Sequence, residues 1–134
     1  MKPNLARAIC FLFITITLVT ARFSLNGVLL FADGEYSYFT YSDEQIYIDD
    51  PLFNAIGRYE RVDFLGDERD VIEVLEKAKA VVKKRERIGN IEIIYAFSPL
   101  LMTFKTTDNG TVNLMVAVRN GVISIGSPLL KGSY

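Results

Sequence analysis

Between residues 67 and 88 the apolar positions Val71, Val74, Leu75, Ala78, Val81 and Val82 recur at i, i+3, i+4, i+7, i+10 and i+11. That spacing predicts one long amphipathic helix over 67–88. Asp67, Glu68 and Asp70 suit the positive end of its dipole, and Gly89 is a ready C-cap. On either side the period changes to two. Residues 36–41 and 46–48 flank the polar Ser42-Asp43-Glu44-Gln45 and predict a hairpin that stops at Asp49-Asp50-Pro51. Residues 58–65 lead into the helix as a further strand. After it, Ile91, Ile93, Tyr95 and Phe97 alternate with Glu92, Ile94 and Ala96, a half-buried strand ended by Ser98-Pro99. Residues 102–107 join through Asp108-Asn109-Gly110 to the alternating Val112, Leu114, Val116 and Val118, and Asn120-Gly121 makes a type I′-like turn into 123–125. The order predicts an α+β fold, an antiparallel sheet of about 5–7 strands with the helix packed on one face. A coiled-coil partner for the helical stripe is the alternative. Gly126-Ser127-Pro128 breaks the last ladder and Leu129-Leu130 fold back on the core, so the tail reads as scaffold.

The apolar excess is concentrated at the start. Lys2 and Arg7 precede the run AICFLFITITLVTA over residues 8–21, a positive n-region followed by an h-region of signal-peptide length. Val19-Thr20-Ala21 offers one cleavage window and Leu30-Phe31-Ala32 a second. An uncleaved membrane anchor would need about 20 apolar residues and would run over residues 8–32, through Arg22 and Asn26-Gly27. An arginine within a span costs roughly 2.5–3.5 kcal/mol on insertion scales, which the neighbouring leucines, isoleucines and phenylalanines can offset. A buried core helix is the third reading. The chain therefore divides into 1–32, a signal peptide or N-terminal anchor, and 33–134, a single α+β domain placed outside the cytoplasm.

Charge and chemistry narrow the function. From Asp33 on there are 12 Lys and Arg against 16 Asp and Glu, a net of -4. Nucleic-acid binding rests on neutralising phosphates, so this balance argues against it. The exception, Lys83-Lys84-Arg85-Glu86-Arg87, reads as cations at the C-terminal turn of the helix, or else as a patch for a polyanion or anionic lipid. The chain has no histidine and a single cysteine, Cys10, inside the hydrophobic run, so Ser-His, Cys-His and histidine-zinc constellations are missing. No catalytic residue, cofactor or metal site is expected. Asp43-Glu44 and Asp49-Asp50 read as turns, since they lack calcium-loop spacing. The candidate interaction surface is aromatic: Tyr36, Tyr38, Tyr41 and Tyr47 fall within twelve positions, beside Phe39. Exposed, such rings suit protein or glycan contact. Cross-strand packing is the alternative.

Three segments carry a resemblance: Tyr95-Ala96-Phe97-Ser98-Pro99-Leu100-Leu101, then Val112-Asn113-Leu114-Met115-Val116-Ala117-Val118-Arg119, then Ile123-Ser124-Ile125-Gly126-Ser127-Pro128-Leu129-Leu130 with Tyr134 at the end. In this order they resemble the C-terminal half of the YwmB-type family, over roughly residues 57–134. The resemblance implies an exported protein of spore-forming Gram-positive bacteria with a fold similar to the TATA-box-binding protein, a curved antiparallel sheet backed by helices. It implies no catalytic residues, and the acidic balance opposes DNA binding. The family's chains are longer, with a further sheet-and-helix half that this chain largely lacks. Together the observations point to an extracytoplasmic, non-enzymatic binding domain, exported or membrane-tethered, with a protein or envelope component as partner and a link to sporulation or the envelope. A small envelope enzyme using carboxylates such as Asp49 and Asp50 is the alternative.

Overall fold

The computed structural model describes residues 3–25, 27–40, 42–48 and 59–134. Helix α1 (Pro3–Leu25) is followed by a 3-10 turn (Val28–Leu30), strands β1 (Glu35–Phe39), β2 (Gln45–Ile48) and β3 (Tyr59–Leu65), and helix α2 (Glu68–Lys77). Then come β4 (Val81–Ile88), β5 (Ile91–Phe97), β6 (Lys105–Thr107), β7 (Gly110–Val112), β8 (Leu114–Arg119) and β9 (Val122–Ser127). The fold is α+β. Seven strands make one sheet in the order β2-β1-β3-β9-β8-β5-β4, and β6 and β7 form a separate ribbon. All pairings among the described strands are antiparallel.

The long helix expected over 67–88 is corrected by this structure. Its first half is α2, where Asp67 and Asp70 form a reciprocal capping box and Val71, Val74, Leu75 and Ala78 are buried. Its second half is strand β4. The helix stops because Lys79 takes a left-handed φ of 49° while Ala80 N–H donates to Leu75 O and Lys79 N–H to Glu76 O, the paired bonds of a Schellman motif. Beyond it, the β-branched Val81 and Val82 meet a ready ladder in β5. Gly89-Asn90, expected beyond the helix end, is instead the two-residue turn between Ile88 and Ile91. The last strand also runs two residues past the expected Ile125, to Ser127.

Register divides the sheet into two faces. One cross-strand row runs Ile48, Tyr36, Val62, Ile125, Val116, Ile94, Arg85. Its apolar members pack with α2, Val28 and Phe31 in the main core. The adjacent row runs Tyr47, Ser37, Arg61, Gly126, Met115, Tyr95, Lys84 on the opposite face. A smaller cluster of Ile93, Met115, Ala117 and Leu130 forms there, with Leu129 and Tyr134 packed against it. The tail thus folds back on the sheet as expected. Gly126 makes this possible: a Cβ there would lie 2.7 Å from Leu130 Cα and 2.8 Å from Leu129 O.

Ahead of the expected boundary at Asp33, Val28 and Phe31 lie in the main core. Removal after Ala32 would strip both side chains from that core; removal after Ala21 would leave them. Side chains of residues 7–18 are all exposed, with large apolar groups at Ile9, Phe11, Leu12, Phe13, Ile14, Ile16 and Leu18. Among the described residues no helix is long and apolar enough to cross a membrane.

Candidate functional site

The tyrosines do not share one exposed surface. Tyr36 is buried in the main core and Tyr38 packs against it from the same face. Tyr47 alternates to the opposite face and is exposed. Tyr41 lies outside the described residues, as do Asp49 and Asp50. Tyr36 is core because period-2 alternation puts it in register with Val62 and Ile48. Its hydroxyl donates to Glu60 Oε1 at 2.9 Å. Burial and the neighbouring Glu60 carboxylate hold that phenol well above its ordinary range.

Glu60 itself sits where β3 passes beneath the 3-10 turn. Burial pushes its carboxyl up to about 7, against the opposing pull of the Tyr36 hydroxyl and the Val28 N–H. A carboxyl held there exchanges its proton near neutrality. Both hydrogen-bond donors belong to the fold, so Glu60 ties β1, β3 and the turn together.

The better-formed site lies on the face away from α2, where the tail crosses the sheet. Arg61 and Asp63 sit two residues apart on β3 and so share that face, with Ser124 of β9 beside Asp63 in register. Arg61 Nε donates to Asp63 Oδ2 at 2.8 Å and its Nη2 to Asp63 Oδ1 at 2.9 Å, a fork on a carboxylate. The same Nη2 reaches the carbonyl of Ser133 at 2.7 Å, and Nη1 that of Lys131 at 2.8 Å. Ser124 donates its hydroxyl to Asp63 and accepts from Arg61. Arg61 is 7% exposed, so its guanidinium finds these partners largely out of water. It fastens the tail to the sheet. Sequence reasoning passed over it, although opposite charges at i and i+2 in a strand were a visible sign of a charged pair on one face.

Beside the knot opens a cleft of about 400 Å³, lined by Arg61, Ala117, Arg119, Asn120, Ser124 and Tyr134 among others. Arg119 ends β8 next to the Asn120-Gly121 turn, whose two residues have φ of 50° and 77° as a type I′ turn requires. Its Nη1 donates to the main-chain oxygen of Tyr134 at 3.4 Å, and among the described residues no carboxylate side chain pairs with it. The cleft therefore combines one arginine paired with Asp63 and one without a side-chain carboxylate partner among the described residues, and adds hydroxyl and amide groups. That set suits a carboxylate or phosphate group. Compared with known proteins, the chain matches no family model, no curated protein and no solved structure.

Proposed function

We propose that this chain is an extracytoplasmic, non-enzymatic binding domain, exported or tethered to the cell membrane through its N-terminal segment, that receives an anionic group of an envelope component in the cleft beside Arg119. The cleft carries the reading: its walls are joined by the Arg61 knot, and Arg119 has no side-chain carboxylate partner among the described residues. Lys2 and Arg7, ahead of the exposed apolar run over residues 8–18, support the export or tether. The resemblance to the YwmB-type family supports an association with sporulation or the envelope.

The test is amide chemical-shift mapping of the isotopically labelled protein with inorganic phosphate and a short acidic peptide as probes. Saturable shifts at Arg119, Asn120, Ser124 and Ser133, lost in Arg119→Gln, are expected. One charge-assisted contact is worth about 1.5–3 kcal/mol, so Arg119→Gln should weaken binding roughly 10-fold or more. Unsaturable shifts scattered over the cationic surface would sink the reading. The alternative, a small envelope enzyme using carboxylates such as Asp49 and Asp50, falls on positions outside the described residues.

A further inference from the structure

Residues 98–104, between β5 and β6, hold apolar side chains out of the core on a firmly tied base. Ser98 N–H donates to Asn113 Oδ1 at 2.6 Å, its carbonyl accepts from Asn113 Nδ2 at 2.7 Å, and its hydroxyl donates to Ala78 O at 2.6 Å. Beyond that base the side chains alternate. Leu101 is buried in the main core and Thr103 Oγ1 lies 3.2 Å from Ser127 Oγ. Met102 and Phe104, between and after them, are 70% and 69% exposed. Lys105 follows, its Nζ 3.0 Å from the Tyr59 hydroxyl, and Lys131 Nζ stands 4.2 Å from the centre of the same ring. Among the described residues Lys105 pairs with no carboxylate.

This rim lies where the chain leaves α1. Gly27, two residues past the helix end at Leu25, rests on the loop: a Cβ there would come 2.9 Å from Leu101 Cδ2. Chain geometry then keeps Met102 within about 20 Å of the last residue of α1. A bilayer that takes up the exposed apolar side chains of residues 8–18 has its surface close to that exit, and two protruding apolar side chains beside a lysine and a tyrosine match the acyl–headgroup boundary.

We propose that residues 100–105 are a bilayer contact, with Met102 and Phe104 entering the boundary and Lys105 meeting an anionic headgroup phosphate. The inference rests on the tethered form of the function proposed above. It sets the domain's orientation, because the loop's own contact stops the domain swinging freely on α1.

The chain has no tryptophan, so Phe104→Trp and Met102→Trp in the full chain are clean fluorescent reporters, and Ile88→Trp at the far hairpin is the control. Each is mixed with phosphatidylcholine vesicles with and without phosphatidylglycerol, and flotation is measured alongside emission. The expected result is co-flotation, blue-shifted emission and several-fold stronger quenching by shallowly brominated lipids at 102 and 104 than at 88. The shift should be smaller in Lys105→Gln on anionic vesicles. If the chain floats and both loop reporters keep water-like emission, the loop contact is overturned while the tether stands. If it does not float, the tether and the contact both fail. A blue shift without vesicles that grows with protein concentration would assign the patch to a second copy, and the bilayer contact would again be wrong.

Discussion

Glu60 shows how one buried group makes stability depend on pH. Its folded value of about 7 stands above the ordinary 4.5, so the folded state holds the proton more tightly than the unfolded chain. The stability this contributes is fully present below about pH 4.5 and is lost as pH rises through 7. At about 1.4 kcal/mol per unit the loss is at most about 3.5 kcal/mol. Urea midpoints should therefore fall between pH 5 and pH 8 in the native chain and stay flatter in Glu60→Gln, which keeps an acceptor for Tyr36. Parallel midpoints across that window would mean that Glu60 is solvated enough to ionise freely. None of this was legible in the sequence, where Glu60 is one polar residue in a strand. Its environment comes from Val28 and Tyr36, 32 and 24 positions away. Arg61 and Asp63 were half legible: spacing puts them on one face, but only the returning tail makes the arginine buried.

At the scale of elements, turn chemistry was the more readable part and helix length the less. Asn120-Gly121 and Asp108-Asn109-Gly110 mark hairpins because their backbone angles are demanded locally. By contrast Val81 and Val82 fit a helical stripe and a strand equally well, and the competition was decided by β5 alongside. This moves the basic cluster from a helix end to an edge strand, where its cations have another task. An eight-residue edge exposes unpaired backbone groups, and Lys83, Lys84, Arg85 and Arg87 discourage a second chain from adding to it. Two exposed ion pairs, Lys84–Glu86 and Arg85–Glu92, add little stability by themselves. Replacing the four cations by threonine should thus leave the thermal midpoint of dilute protein within a few degrees. It should raise self-association, read as concentration-dependent mass by light scattering. A variant that stays monomeric at high concentration would show that shape, and not charge, guards this edge.

For the whole molecule, the sheet is built from both ends of the domain. The 3-10 turn closes one face, the tail closes part of the other, and β3 runs between them with Glu60 turned to the first and Arg61 to the second. Removing residues 128–134 should then cost more than an ordinary terminal trimming. Burying Leu130 is worth about 1.5–3 kcal/mol. Arg61 would lose two carbonyl acceptors, each a charge-assisted bond worth about 1.5–3 kcal/mol when water does not replace it. Water reaches part of the exposed face after deletion, so the expected loss in chemical denaturation is about 3–5 kcal/mol. Arg61→Met should cost about 3 kcal/mol alone, because it leaves the half-buried Asp63 unpaired. Since the two changes destroy the same bonds, the double variant should be less destabilised than their sum, by about 1 kcal/mol or more. Strict additivity would instead mean that the tail is held by Leu129, Leu130 and Tyr134 alone. In that case the cleft beside Arg119 would owe its walls to apolar packing, and anion binding should survive Arg61→Met; if the arginine is the fastener, that variant should lose the ligand along with the tail.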